Sequence, residues 1–221
     1  MKLSDKTIEI LKNFVGINQS LLFKEGNVIR TMSLLKNMFS EATISEKFPR
    51  SFAIYDLGQF LNAIRLHKSP EIVFDNDSYL TLVSGDMQGK YYFSDESLIK
   101  TPPDTGIALP SEDVCFYLMQ EQLEKLLKAS SVYGVSDLTA VGDGKTVNLK
   151  VWDKENSTSN QFSVLVGKTD STFSFNYRIE NLKILDGNYE VVVSKHNYSR
   201  FTHSDIDLVY YIALEPDSTF E

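Results

Sequence analysis

Apolar positions along this chain recur with two periods, 3.6 and 2, and the order in which the periods alternate repeats. After Ser4, an N-cap residue type, Ile8, Leu11 and Val15, joined by Phe14, return at helical spacing, with Lys6, Glu9, Lys12 and Asn13 on the polar side. Two apolar runs follow, 21–23 and 28–32, and Gly26-Asn27 between them predicts a hairpin turn. Residues 38–48 predict a strand that stops before Pro49. Phe52 and Ile54 alternate with Ala53 and Tyr55 in a short strand. It runs into a helix from about Asp56, with Leu57, Phe60, Leu61 and Ile64 on one face. Strands at 72–74, 79–83 and 90–93 complete this half.

The second half restarts with a strand at 114–118 and a helix with Leu123, Leu126 and Leu127 inward. A hairpin turns at 142–144, and Val147, Leu149 and Val151 share one face of its return strand. Strands at 161–166 and 173–177 follow. A short helix over 179–185 is closed by Asp186-Gly187-Asn188, and a meander ends at 208–214. Helix, strand, turn and strand at 8–33 thus return at 123–152, and the plan of 51–84 returns with longer connections at 173–214. Residues 94–111 hold three of the six prolines, Pro102, Pro103 and Pro110, and read as a connector. The expected organisation is a first domain over 1–94, a connector over 95–111 and a second domain over 112–221. The fold class is α+β, duplicated, with helices on one face of a continuous sheet.

Catalytic signatures are missing. No phosphate-binding glycine loop, nucleophile elbow or HExxH helix is present. Three scattered histidines and one cysteine give no zinc spacing. Asp75 and Asp77, and Glu121 with Glu124, read as a solvated turn and a solvated helix face. No enzyme activity, cofactor or metal is expected. Cys115 lies in the apolar run 114–118 and reads as a buried thiol. No run approaches the ~18 apolar residues of a membrane helix, and nothing resembles a secretory leader. An intracellular location is expected.

Charge sharpens the picture. The net charge is −8, which alone argues against a nucleic-acid partner. The four expected helices (4–18, 56–68, 119–131 and 178–185) nevertheless carry eight cations against six anions, a net of +2 that leaves −10 elsewhere. Those cations are Lys6, Lys12, Arg65, Lys68, Lys125, Lys128, Arg178 and Lys183. Helices gathered on one surface would make it locally attractive to phosphate.

The opening stretch 1–14, Ala53-Ile54-Tyr55-Asp56-Leu57, Asp186-Gly187-Asn188-Tyr189 and the stretch 211–219 closely resemble the DNA polymerase sliding clamps of T-even-like bacteriophages. The resemblance runs the length of the chain. It implies a duplicated DNA clamp fold and a head-to-tail homotrimer closing into a ring around duplex DNA. The helices and their eight cations would line the hole. The ring would tether the replicative polymerase through its tail, be opened by an ATP-dependent clamp loader, and activate late transcription through late transcription factors. It places subunit interfaces at the edge strands containing Tyr91, Tyr92, Phe93 and Phe162, Val164, Val166. It places a partner-tail groove at Ile107, Leu109, Ile212, Leu214 and Pro216. Holding DNA by topology lets each phosphate contact be weak and sequence-independent. Two other readings compete: a duplicated β-rich structural or adaptor protein of the virion with no DNA role, and a single-strand binder that stacks bases on its aromatics.

Overall fold

The computed structural model describes residues 1–221, in two compact units, Met1–Gly106 and Ile107–Glu221. Unit 1 runs α1 (Asp5–Ile17), β1 (Leu21–Phe23), β2 (Gly26–Met32), β3 (Met38–Phe48), β4 (Phe52–Ile54), α2 (Leu57–Leu66), β5 (Glu71–Val73), β6 (Tyr79–Ser84) and β7 (Met87–Tyr92). Unit 2 runs β8 (Val114–Leu118), α3 (Gln120–Tyr133), β9 (Asp137–Asp143), β10 (Thr146–Trp152), β11 (Phe162–Lys168) and β12 (Thr172–Arg178). It continues with β13 (Tyr189–Ser194), β14 (Tyr198–His203), β15 (Leu208–Ala213) and β16 (Thr219–Phe220).

In unit 1, β1 pairs antiparallel with β4, β2 with β3, and β5, β6 and β7 form a sheet with β7 at its edge. An aromatic cluster fills the core: Phe23 stacks on Phe52 at 4.6 Å and meets Phe48 edge-on at 4.9 Å. Helix α1 rests on β2 and β3 and buries Ile10, Leu11, Phe14 and Ile17. Its N-terminus is closed twice. The Ser4 hydroxyl accepts from the Thr7 amide, and Glu46 of β3 accepts from the Thr7 hydroxyl and the Ser4 amide. Burial alone would push the Glu46 carboxyl up. The Thr7 and Ser4 hydrogen bonds outweigh it and hold the group below its usual value.

Unit 2 contains the sheets β11-β10-β9-β12-β16 and β15-β14-β13-β8. Their inner faces share a core in which Tyr177 of β12 meets Phe201 of β14 edge-on. Helix α3 rests on β10 and β11, as α1 rests on β2 and β3. Three glycines in the molecule accommodate rings. A Cβ at Gly142 would overlap Phe173, its partner across β9 and β12; one at Gly187 would overlap His203; one at Gly89 would sit 2.7 Å from His67.

Four expectations change. The fourth helix is absent: Ile179–Asn181 is a single 3-10 turn. Leu182 and Leu185 are still buried, but side chains rather than a helix satisfy the backbone there. The Leu185 amide donates to the Tyr210 hydroxyl (3.1 Å), and the Tyr189 hydroxyl donates to the Leu185 carbonyl. Burial pushes both phenols up, so they remain neutral donors and acceptors. Gly26-Asn27 is no hairpin turn either. Gly26 (φ 113°) opens β2 opposite Phe48, and the hairpin lies at 33–37, where Lys36 (φ 60°) takes the left-handed position. The partner of β1 is β4, about thirty residues on, beyond the reach of local turn signals. Cys115 is exposed, because the period of β8 sends Val114, Phe116 and Leu118 inward and Cys115 and Tyr117 out. The buried stripe of α1 is also rotated, leaving Ile8 and Val15 at its margins.

Candidate nucleic-acid interface

The helices present their charges on solvent-facing stripes. On α1 the apolar stripe points into the unit, so Asp5, Glu9, Lys12 and Gly16 share the opposite side. Lys6 is spoken for by Glu9 at 3.2 Å. Lys12 is exposed and makes no ion pair.

Helix α2 starts at Asp56, whose carboxylate accepts from the Gln59 amide at 2.8 Å. Gly58 faces α1: a Cβ there would lie 3.4 Å from the Asp56 carboxylate and in ordinary contact, 3.8 Å, with Val15. Leu57, Phe60, Leu61 and Ile64 are buried as the spacing predicted, which turns Gln59, Asn62 and Arg65 outward. Arg65 is exposed and unpaired. Lys68 lies just past the helix on a left-handed backbone (φ 48°), also exposed. On α3, Lys125 pairs with Glu121 at 2.6 Å, and Lys128 one turn on is unpaired. Such exposed pairs contribute little and yield readily to a competing anion.

Three of the eight cations are not on helices: Lys68, Arg178 and Lys183. Arg178 ends β12 and is committed to structure: it donates to the buried Asp137 carboxylate at 2.8 Å, and Glu215 stands 3.8 Å away. Lys183 lies in the segment after the 3-10 turn, exposed. Counted on the three real helices, five cations face four anions, so the helical excess is +1 rather than +2. The unpaired helix-associated set is Lys12, Arg65, Lys68 and Lys128.

The edge-strand residues fall on edges. β7 bounds its sheet in unit 1 and β11 bounds the five-stranded sheet in unit 2. On β7, Tyr92 is exposed. Tyr91 is half-buried on Phe60, its hydroxyl 3.1 Å from both the Asp56 carbonyl and Gln59 Oε1. Burial first and the Asp56 charge second push that phenol up. Phe93 lies past the strand and packs 5.2 Å from Phe52. On β11, Phe162, Val164 and Val166 are half-buried, while Leu165 is 59% exposed and its carbonyl accepts from Gln122 of α3. The groove residues divide. Ile212 and Leu214 are buried in the core of unit 2, Ile107 and Leu109 are half-buried, and Pro216 is exposed.

Glu46 and Gln122, which the periodicity does not mark, fix α1 and tie α3 to β11. Glu46 carries no sequence signal, because its partners Ser4 and Thr7 lie 42 and 39 residues away. Gln122 has a local one, as the third residue of α3 accepting from the Met119 amide at 3.0 Å, but its bond to the Leu165 carbonyl spans 43 residues.

Residues 2–99 match the family model described as DNA polymerase processivity factor, and residues 115–216 match gp45 sliding clamp, C terminal. The sliding clamp of Vibrio phage KVP40 is 33% identical, over 97% of this chain and 99% of that relative. The sliding clamp of Escherichia phage RB69 is 32% identical over the full length of both. Among solved structures, A. fulgidus PCNA bound to the C-terminal region of FEN-1 superimposes with a TM-score of 0.73 at 12% identity. It covers 99% of this chain and 100% of that one, which shows a common α+β duplicated clamp fold. The chain belongs to the sliding-clamp family of DNA polymerase processivity factors.

Proposed function

We propose that three copies of this chain join head to tail, β7 of one against β11 of the next, into a ring around duplex DNA. The observation that carries this reading is that β7 in unit 1 and β11 in unit 2 each bound a sheet, in a chain that matches clamp relatives over its full length. Two different edges on opposite halves make a heterologous contact, the kind that closes rings. Tyr91, Tyr92, Phe162, Val164 and Val166 contribute the side-chain contacts along those edges, and Phe93 supports β7 from behind.

Lys12, Arg65, Lys68 and Lys128 face the duplex, with Lys6, Lys125 and Lys183 adding weaker attraction. Arg178 is a structural cation. The ring tethers the phage replicative polymerase by its tail at the surface around Ile107, Leu109 and Pro216, with Ile212 and Leu214 as the floor beneath. An ATP-dependent loader opens it. In the host cytoplasm the loaded ring also serves late transcription factors. Domain boundaries at 94 and 112 fit this use, with 95–111 as connector.

The ring is tested by native mass measurement after crosslinking across a concentration series. A trimer is expected, and a strictly monomeric or dimeric species overturns it. Reversing Lys12, Arg65 and Lys128 together is expected to reduce processive synthesis at least ten-fold with the fold intact; unchanged processivity removes the lining assignment.

A further inference from the structure

After β15 the chain leaves its sheet at Leu214 and crosses to the other sheet of unit 2, where residues 215–221 lie along the outer edge of β12. The Glu215 amide donates to the Asn176 carbonyl at 2.8 Å, the Asn176 amide donates to the Ser218 hydroxyl at 2.9 Å, and the Glu221 amide donates to the Thr172 carbonyl at 2.8 Å. Phe220 and Thr219 stand opposite Phe173 and Ser174. Few ladder positions are used, so the segment is held largely by side chains.

Those side chains form a built recognition surface. Lys154, with its side chain 13% exposed, pairs with Asp217 at 2.7 Å. This contact raises the lysine and holds the Asp217 carboxyl below its usual range. Arg178 stands 3.8 Å from Glu215. The Phe220 ring lies nearly parallel to Phe173 and Phe175, at 6.4 and 6.1 Å, with the Lys195 ammonium 6.0 Å above it. Asn176 is buried and its amide is oriented by a relay: the Trp152 indole donates to the Thr139 hydroxyl (2.9 Å), which donates to Asn176 Oδ1 (2.8 Å). This leaves Asn176 Nδ2 directed at the Asp217 carbonyl at 3.5 Å.

A sheet edge, two cations at fixed positions and an aromatic shelf are the parts of a β-augmentation site: backbone pairing gives affinity and the side-chain positions give selectivity. The resident reports the ligand chemistry. It is a segment that turns at 215–218, where the Ser218 amide donates to the Glu215 carbonyl at 3.1 Å, and pairs with β12 at 219–220, with a carboxylate three residues before an aromatic ring. It is also weakly fixed, by rim ion pairs, a half-buried ring and a two-residue strand.

We propose that the edge of β12, with Lys154, Asn176, Phe173 and Phe175, is a binding site for a peptide of the form carboxylate-x-x-aromatic that turns at its carboxylate and pairs at its ring, and that residues 215–221 are its exchangeable resident. The site is separate from the ring contacts and the duplex-facing cations, so it stands or falls without DNA and at any oligomeric state.

The probe is a fluorescein-labelled peptide of residues 215–221, added to the full chain. Phe220→Ala in the full chain loosens the resident and is expected to tighten peptide binding at least ten-fold over the unaltered chain. Adding Lys154→Ala should weaken it at least five-fold, and a peptide with alanine in place of its phenylalanine should not bind. Trp152, the only tryptophan, reports occupancy through the Thr139–Asn176 relay. Equal affinity for both chains, or indifference to the peptide's ring, overturns the proposal. Hydrogen exchange on the unaltered chain needs no variant. The Glu215 and Glu221 amides should exchange at least ten-fold faster than those of β9 and β10, and exchange in step with that core would sink the idea of an exchangeable resident.

Discussion

The two units seat their first helix in the same way and solve the second position differently. In unit 1 the segment after β4 becomes α2, capped by Asp56 and packed against α1. In unit 2 the segment after β12 makes one 3-10 turn, and tyrosine hydroxyls from β13 and β15 take over the backbone of Leu185. Both solutions bury their apolar anchors: Leu57 and Phe60 in one, Leu182 and Leu185 in the other. What the units share is the path of the chain and the residues that must be dry. The helix is one means of satisfying buried backbone groups, and a pair of phenols is another.

This contrast can be broken at graded cost. The largest effect is expected from Gly142→Ala in unit 2, where the new methyl overlaps Phe173 inside a packed sheet; about 3 kcal/mol should be lost in urea unfolding followed by Trp152 fluorescence. Gly89→Ala in unit 1 meets only the far edge of His67 and should cost about 1 kcal/mol. Between those two lies Tyr210→Phe, which strands the Leu185 amide and should cost about 1.5 kcal/mol without reducing helical circular dichroism. Asp56→Ala removes the α2 cap, costs about 1 kcal/mol, and should reduce that helical signal. If both substitutions reduced helicity equally, the two units would not differ as described.

The smallest effect is a pH dependence. The folded-state pKa values of Glu46 and Asp217 are lowered, so their stabilisation is present above the unfolded values near 4 and is lost as pH falls through the folded ones. Glu46→Gln should flatten the acid limb of stability for unit 1, and Asp217→Asn should do so for unit 2. Titrating urea midpoints between about pH 5 and 3 separates them.

Much of the architecture was legible because it is local. Leu57, Phe60, Leu61 and Ile64 mark α2 by spacing alone, and Val147, Leu149 and Val151 mark β10. What escaped depends on distant partners. The pairing of β1 with β4 displaced the hairpin read at Gly26, and the hydroxyls of Tyr189 and Tyr210 made a helix at 179–185 unnecessary. The charged surface follows the same rule. Lys12, Arg65, Lys68 and Lys128 stand exposed and unpaired. Arg178 could not be recognised as structural from its neighbours, because its carboxylate, Asp137, lies 41 positions away.

Of the three glycines covered by rings, one binds two positions into a common fate. Residue 142 has no room for a side chain while residue 173 carries a ring, whereas residue 89 faces only the yielding end of His67, and residue 187, at φ 153°, stays strained even if residue 203 becomes small. Along any lineage 142 and 173 should therefore change in a fixed order, ring before glycine. The reverse order passes through a poorly packed intermediate, so these two sites should drift as a linked pair rather than singly.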